Sequence, residues 1–532
     1  MLFGFETVDR VGVAYFANLY QAREKNLSHR PPFPRTMRRT PPRSTALAIR
    51  LAKLLLAKYR SHYRARYQKS LPILLVAGTA GKSSVTLLLK NLFERDGWTV
   101  YSGARPAQCL NSITGLTMVL GGFESDFEGR MALLHKLWFL LRGYLSLYTR
   151  ALNLPEKTIL VYEVGFNEQH ESEYFQAVFE REVNGVILTN LTYEHSFGFG
   201  EEFDTEAYRE YKKAIPHYWR KALEDSTLDG RLRNIALEQF KLLSLTSKFI
   251  APLVIGSIDN GVLTNFGREK GSKQYYPQVT RAEDFVLEAE NLRIGEGYLL
   301  PQTFAKNAYI LETVATYFAI SKGVVASTLE HLEVPNGRFS LLTGISGSQI
   351  VDSTYNSDPA SLNGFLTLFE EVVGRFIVQA RTNTLPSPYA MAPKHTLILG
   401  EMRELGSMSA SEHAAILTRL VKLSTIYANY IEDIFLVGRE WLALDDKVKK
   451  RDGVVQYLRH EGQMFKVFKR AGDINELLDP ETLPAGSWYW IKGSQNTIFL
   501  ELVVEHLLAN KDERSRLCRR GSAWDEQRKK YR

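Results

Sequence analysis

Cysteine is almost absent from this sequence of 532 residues, in which only Cys109 and Cys518 occur. Two cysteines are too few for a disulfide-stapled secreted scaffold or a cysteine-rich zinc site, so both classes are excluded. Long uncharged apolar runs are also missing, since charged side chains interrupt residues 131–148, the best candidate for a spanning helix. A buried helix is the favoured interpretation of that stretch, and an interfacial helix is the alternative. The N-terminus lacks the basic start and apolar core of a secretory signal.

Basic residues exceed acidic residues only at the two ends of the chain. The formal net charge is +8 and the pI is about 9.1. Residues 1–70 hold 15 Lys and Arg against 3 Asp and Glu, and residues 511–532 hold 9 against 4. Residues 71–510 are acidic, with 43 basic and 52 acidic side chains. No nucleic-acid-binding motif accompanies the basic ends, so nucleic acid is not an expected partner.

The basic N-terminal region contains a predicted linker and a predicted helix. Residues 26–44 are rich in proline and arginine and indicate an irregular linker. Residues 45–68 repeat apolar side chains every four positions, with basic side chains on another face, which indicates an amphipathic helix. The favoured interpretation is that this helix packs on the next domain. The second interpretation is contact of residues 45–69 with an anionic membrane surface.

From residue 72 onward, short apolar runs alternate with helical stretches. The runs lie at 72–77, 158–162, 185–188, 349–351, 395–399, 433–437 and 488–491. This alternation predicts an α/β fold with parallel sheets.

The most specific motif is a glycine-containing loop between the first of these runs and a helix, formed by Gly78, Thr79, Ala80, Gly81, Lys82, Ser83 and Ser84. Glycines let backbone N–H groups approach phosphate oxygens, and the helix N-terminus adds positive potential. Lys82 is placed to reach the β and γ phosphates, and the Ser83 hydroxyl to bind Mg²⁺. The usual pattern has an earlier glycine where this chain has Val76, but the strand–loop–helix context supports a site for nucleotide phosphates, with a glycine turn that exposes Lys82 as the alternative.

Two polar residues follow later runs, where ligands bind in open α/β sheets. Glu163 directly follows the run at 158–162, and His195 lies shortly after the run at 185–188. Both are candidate ligands for Mg²⁺, although histidine is an uncommon ligand for that ion. The alternatives are a strand-end ion pair for Glu163 and a hydrogen-bonded loop histidine for His195.

With these residues in place, the sequence resembles the Mur ligase superfamily of peptidoglycan synthesis, and within it the D-alanyl-D-alanine-adding ligases known as MurF. Collinear segments carry the resemblance over about residues 72–505. They are 78–84, 110–113, 163–171, 189–198, 304–308, 337–338, 351–361, 399–413 and 491–494. The implied architecture is a basic helical N-terminal extension (1–70), a central ATP-binding P-loop domain (71–337), a Rossmann-like α/β C-terminal domain (338–510) and a basic tail (511–532).

The resemblance implies roles for individual residues. Mg²⁺ ligation is assigned to Ser83, Glu163 and His195, and the catalytic set is Lys82, Glu163, His195 and Arg338. The nucleotide-binding set adds the loop residues 78–84, Asn307, Arg338, Asp352 and Asn356. The implied activity is ATP-dependent joining of a peptide carboxylate to an amine through an acyl phosphate, in the cytoplasm. UDP-muramyl peptide and D-alanyl-D-alanine are the implied substrates.

Two departures from the resemblance affect the expected function. Residues 1–70 leave no room for the domain that grips the UDP-sugar in the family. The family's lysine that CO₂ converts to a carbamate aligns with Gln239, with Lys212, Lys213 and Lys241 as the other candidates. A ligase resembling folylpolyglutamate synthase, or one that makes an amino-acid polymer, is therefore an alternative. A degenerate nucleotide-binding scaffold near the membrane is another.

Overall fold

The computed structural model describes residues 41–106, 109–122, 151–191, 198–213, 215, 217–246, 248–249, 253–256, 297–301, 304–382, 392–444, 451–452, 455–478, 483–493 and 498–529. His195 and the candidate helix at 131–148 lie outside these residues. None of the helices in these ranges combines the length and the apolar character needed to cross a bilayer.

Helix α1 (Arg43–Tyr67) precedes the first strand and packs on the central domain. Its inward face is apolar, and Leu55, Leu56 and Tyr59 are almost fully buried. Leu47 is 53% exposed, although it begins the four-residue repeat. An α-helix has 3.6 residues per turn, so four-residue steps drift by roughly 40° each and carry Leu47 off the buried face. The interpretation of α1 as a packed helix is therefore confirmed.

Among the described residues, the central domain contains a five-stranded parallel sheet in the order β2-β3-β1-β4-β5. Its strands are β1 (Ile73–Ala77), β2 (Thr99–Tyr101), β3 (Thr158–Glu163), β4 (Gly185–Leu188) and β5 (Leu253–Gly256). Every residue of β1 and β3 is buried, as expected for parallel strands that helices cover on both faces.

The covering helices of this sheet form two apolar cores. They are α2 (Lys82–Arg95), α3 (Ile113–Gly121), α4 (Ser172–Phe179), α5 (Thr205–Tyr211), α6 (His217–Glu224), α7 (Gly230–Lys241), α8 (Ala305–Tyr317) and α9 (Lys322–Glu330). One core joins α1, α3, α4 and α7 to the sheet, and the other joins α2, α8 and α9 to its opposite face.

A second sheet lies further along the chain, and its described strands number eight, in the order β10-β11-β12-β9-β8-β13-β7-β6. They are β6 (Ser340–Thr343), β7 (Gln349–Ser353), β8 (His395–Gly400), β9 (Ile431–Val437), β10 (Arg451–Asp452), β11 (Val455–His460), β12 (Gln463–Phe468) and β13 (Trp488–Lys492). The strands from β12 to β7 run parallel, and antiparallel strands close both edges.

Helices cover both faces of the second sheet and complete two further cores. They are α10 (Pro359–Arg381), α11 (Ser409–Ile426), α12 (Arg439–Leu442), α13 (Gly472–Asn475), α14 (Glu501–Leu507) and α15 (Ser522–Arg528). Asp358 caps α10, because its carboxylate accepts hydrogen bonds from the backbone of Ala360 and Ser361. The predicted α/β alternation is confirmed, with a mixed rather than wholly parallel second sheet.

Residues 511–529, called here the C-terminal segment, pack along the second sheet and the junction between the two sheets. The Asn336 amide donates to the carbonyls of Ser515 and Leu517. The Arg519 guanidinium is 5% exposed and pairs with the fully buried Glu501 at 3.2 Å. The described part of the predicted basic tail is thus an integrated element of the fold.

Candidate active site

One pocket of about 580 Å³ lies between the carboxyl ends of the strands of the two sheets. The central domain contributes the loop after β1, the end of β3 and the residues after β4, and the second sheet contributes the ends of β7 and β13. Side chains that line the pocket include Thr79, Lys82, Ser83, Asn111, Glu163, Asn190, Phe304, Asn307, Arg338, Tyr355, Asn356 and Lys492. The volume is in the range of small-molecule and cofactor sites.

The glycine loop is shaped by backbone angles and by the residues after β4. Gly78 has φ +137°, and a Cβ there would lie 2.2 Å from Thr189 Oγ1. Only glycine fits such a position. The Asn190 side chain accepts hydrogen bonds from the Ala80 N–H at 2.6 Å and the Thr79 hydroxyl at 3.0 Å. The Asn190 side chain therefore fixes the conformation of the loop. Helix α2 begins where the loop ends, and its N-terminus is directed at the pocket.

Lys82 and Ser83 open helix α2 and line the pocket. The Lys82 ammonium donates to the Thr79 carbonyl at 2.7 Å, which folds the side chain back over the loop. Ser83 is 7% exposed. The predicted phosphate-binding residues are thus brought together in one loop.

Glu163 ends β3 and faces the same pocket with only 2% of its surface exposed. Its carboxylate accepts a hydrogen bond from the Cys109 thiol at 2.7 Å and another from the Asn111 amide at 3.2 Å. Both donors are neutral groups, so neither contact brings a positive charge to the carboxylate. Burial first, and then the neighbouring carboxylate, raises the pKa of Cys109 well above its usual range.

A buried carboxylate beside a serine hydroxyl suits a hard cation such as Mg²⁺, which commonly takes few protein ligands and completes its shell with water and phosphate oxygens. Ser83 and Glu163 fit that requirement. The described ranges, which omit His195, contain no group of three or more His, Cys, Asp or Glu side chains arranged for a metal.

The opposite wall of the pocket is built on Tyr355. The Arg338 guanidinium lies 4.6 Å from the centre of the tyrosine ring, and the Arg519 guanidinium lies 5.3 Å from it. Buried Arg338 Nε has no hydrogen-bond partner among the described residues. Arg519 also donates to the carbonyls of Thr354 and Tyr355. Arg338 thus brings a positive charge to the pocket opposite Lys82.

The remaining predicted nucleotide residues occupy different positions. Asn307 lines the pocket near the apolar side chains of Phe304 and Ile310, and Asn356 lines it near Lys492. Asp352 is fully buried and does not line the pocket. Its carboxylate accepts hydrogen bonds from the Thr354 N–H at 3.0 Å and hydroxyl at 2.7 Å, and burial raises its pKa to about 6. Asp352 is therefore a buried residue near the end of β7, and its contacts hold the backbone at Thr354.

None of the three candidate lysines lines this pocket. Lys212 is half exposed and pairs with Glu224 at 2.7 Å, while Lys213 is exposed. Lys241 is fully buried and pairs with Glu238. Gln239 instead borders a small cavity next to the glycine loop.

Three functional candidates were missed from the sequence. The Cys109 thiol donates a hydrogen bond to Glu163, and the Tyr355 ring packs against the Arg338 guanidinium. Both contacts join residues that are distant in the sequence, so they depend on tertiary structure. Lys492 lies at the end of β13 and donates to the Asn356 carbonyl. Two of the three had a signal, because Tyr355 and Lys492 fall in the segments at 351–361 and 491–494 that resemble the family.

Comparison with known proteins identifies the fold. No family model matches the sequence, and no curated protein matches it. MurF from Acinetobacter baumannii has a similar structure, with a TM-score of 0.50 and 14% identity over 86% of this chain and 80% of that chain. MurF from Thermotoga maritima, solved with ADP, gives a TM-score of 0.47 and 15% identity over 91% and 87%. The likeness to the Acinetobacter baumannii structure shows that the chain has the α/β fold of the Mur ligases.

Proposed function

We propose that this chain is an ATP-dependent ligase that joins a carboxylate to an amine through an acyl phosphate. The observation that carries the proposal is the single pocket in which Lys82, Ser83 and Glu163 face Arg338 and Lys492. Phosphoryl transfer depends mainly on positioning and on positive charge around the transferred group, and both walls provide that charge. The Mur ligase fold supports the same interpretation.

The proposed reaction has two steps. A carboxylate oxygen attacks the γ-phosphorus of ATP, the bond to the β–γ bridging oxygen breaks, and ADP leaves. The amine then attacks the acyl carbon, loses a proton and expels inorganic phosphate. Lys82 and Arg338 are proposed to offset the charge on the phosphoryl oxygens. Ser83, Glu163 and His195 are proposed to hold Mg²⁺, which when bound neutralises phosphate charge.

The acyl phosphate must be kept from water, which would hydrolyse it. The pocket spans the junction at residues 337–338, where the Tyr355 N–H donates to the Gly337 carbonyl at 3.0 Å. Closure at this junction is proposed to bring Arg338 onto the phosphates and to exclude water. Asn307 is proposed to lie beside the adenine. Asp352 near the end of β7 and Asn356 after it are proposed to order the loop at 354–356.

The substrates are proposed to be a peptide carboxylate and an amine, with UDP-muramyl peptide and D-alanyl-D-alanine as the first pair to examine. Recognition of the acid is proposed to differ from that of the family. A cytoplasmic location follows from the proposed use of ATP.

The test is release of ADP in the presence of Mg²⁺ and candidate acids and amines, with mass spectrometry of the product. ADP release is expected only when both substrates are supplied, and Lys82→Ala is expected to abolish it. Lys90→Ala is the matched control, because Lys90 lies on the same helix and pairs with Glu94 at its surface. ADP release that does not depend on either substrate would contradict the ligase proposal.

A second candidate is a nucleotide-binding protein without turnover. The specific observation in its favour is Gln239, which occupies the position aligned with the family's modified lysine. Nucleotide binding without any product, over a panel of acids and amines, would support this candidate over the ligase.

A further inference from the structure

Gln239 on α7 has a buried side-chain amide whose nitrogen has no described partner. The residue is 2% exposed, and its Nε2 makes no hydrogen bond among the described residues. A buried donor that has lost water and gained no partner destabilises the fold. Natural structures retain such groups where a ligand or a bound water completes them.

The amide borders a cavity of about 30 Å³ beside the glycine loop. Thr79, Lys82 and Asn111 line both this cavity and the large pocket, so the two spaces share a wall. The volume holds one group about the size of a water molecule, such as a single phosphate oxygen. Gln239 and Lys82 of the glycine loop therefore line the same cavity.

The neighbours of Gln239 on α7 point elsewhere. Glu238 and Lys241 are three residues apart, so they share a helix face, and they form a buried ion pair. Glu238 also accepts hydrogen bonds from the Ser172 N–H and hydroxyl. Gln239 lies about 100° around the helix from Glu238, which carries it out of this ion-pair cluster and to the cavity.

We propose that the Gln239 side-chain amide binds an anionic oxygen of the terminal phosphoryl group of a nucleoside triphosphate. The Lys82 ammonium and the loop backbone bring negative oxygens to this wall, and an amide N–H donates to such an oxygen without adding charge. A hydrogen bond to an ionised acceptor is stronger than one between neutral groups. The proposal rests on the proposed nucleotide site and names one further residue in it.

The test compares a triphosphate analogue with a diphosphate by isothermal titration calorimetry on the full chain with Mg²⁺. Gln239→Leu keeps similar volume and removes the donor. The Kd of the non-hydrolysable ATP analogue AMPPNP is expected to rise roughly 10- to 100-fold, because a hydrogen bond to a charged group is lost. The Kd of ADP is expected to change by less than about twofold, since ADP lacks the terminal phosphoryl group.

Gln176→Leu is the matched control. Gln176 is also a buried glutamine, but its amide donates to the Lys241 carbonyl and accepts from the Tyr211 hydroxyl, away from the cavity. This variant is expected to lower the thermal midpoint while leaving the ratio of the AMPPNP and ADP affinities unchanged. Gln239→Leu is expected to keep or raise the midpoint of the nucleotide-free chain, which guards against loss of folding as an explanation.

The outcomes separate this proposal from the proposed function. An unchanged affinity ratio in Gln239→Leu would overturn the proposal and leave the nucleotide site intact, because the cavity would then hold only a water molecule. An equal loss of both affinities would also overturn it. If the unmutated chain binds neither nucleotide, both the site and this proposal fail.

Discussion

Helix α1 and the C-terminal segment are both basic, but they bury different types of side chain. Helix α1 buries apolar side chains such as Leu56 against the central domain and leaves Arg50 and Lys53 exposed. The C-terminal segment buries two arginines, Arg519 at 5% and Arg528 at 1% exposure. Both regions carry more basic than acidic residues, but of their described residues only those of the C-terminal segment include basic side chains that are almost fully buried.

This difference separates two kinds of contribution to the molecule. The apolar face of α1 stabilises the central domain, and several of its basic side chains form ion pairs at the surface of that domain, such as Lys53 with Glu180. Arg519 instead connects Glu501 to Tyr355, which stacks on Arg338 in the pocket. The C-terminal segment thus contacts residues of the proposed active site, whereas α1 contacts the apolar core of the central domain.

The largest expected effect comes from breaking the buried pair in the C-terminal segment. Arg519→Leu leaves the fully buried Glu501 without its cation and is expected to destabilise the chain by about 3–5 kcal/mol in urea unfolding. Replacing both residues by leucine is expected to recover much of the loss, because no uncompensated charge remains.

Lys53→Leu is the matched control on α1. Lys53 pairs with Glu180 at 2.8 Å, but both side chains are about half exposed. Such surface pairs contribute about 0–1 kcal/mol, so a small effect is expected. Equal losses for Arg519→Leu and Lys53→Leu would contradict the distinction between the two basic ends.

The next effect concerns the apolar face of α1. Leu56 is fully buried, so Leu56→Ala is expected to cost about 2–5 kcal/mol in urea unfolding through lost transfer energy and a cavity. Leu54→Ala is the control, because Leu54 is 56% exposed, and a change within about 0.5 kcal/mol is expected. A large loss at Leu54 would show that the outward face of α1 is packed after all.

Sequence reasoning reached the parts of the site that a local pattern determines. The glycine loop was found because its glycines, Lys82 and Ser83 stand directly between an apolar run and a helical stretch. Strands β2, β5, β6 and β10 to β12 were not predicted, since they are short or lie at or near sheet edges, where one face need not be apolar. The contact of Cys109 with Glu163 joins residues far apart in the chain, and no spacing reveals it.

Helix α7 shows why the lysine candidates could not be resolved from the sequence. Gln239 and Lys241 are both buried, so hydrophobicity does not distinguish them. Two residues rotate a helix by about 200°, and only the packing of α7 decides which side chain meets the cavity. The structure places Gln239 there and gives Lys241 to Glu238.

A smaller effect is expected from the buried carboxylate beside the C-terminal segment. Burial raises the pKa of Asp352 to about 6, above the ordinary value that it has in the unfolded chain. The folded chain therefore holds a proton that the unfolded chain releases, so stability falls as the pH rises from about 4 through 6. Asp352→Asn is expected to raise the free energy of unfolding by roughly 1–3 kcal/mol at pH 8.

Urea unfolding between pH 5 and pH 8 measures this gain, which is expected to shrink as the pH falls. Asp433→Asn is the control, because Asp433 lies in a partly exposed pair with Lys466. A gain for Asp352→Asn that is independent of pH would contradict the assignment of the penalty to ionisation of this carboxylate.

The smallest expected effect tests whether the outward face of α1 contacts an anionic membrane. Leu47 and Leu54 are 53% and 56% exposed, and Arg50 lies between them on the same face. Because only about half of each leucine is exposed, each contributes about 0.7–1.5 kcal/mol on entering the headgroup boundary, and each nearby basic residue adds about 1 kcal/mol on anionic lipid.

Cosedimentation with phosphatidylglycerol vesicles at low salt measures this contact. The double variant Leu47→Ser and Leu54→Ser is expected to reduce binding by roughly tenfold, since part of the apolar gain is lost. Leu477→Ser is the matched control, because Leu477 is 46% exposed but lies beside α13, remote in sequence from α1. If the double variant binds as well as the unmutated chain, the basic face of α1 is solvated, and the two ends of the chain differ only in what they bury.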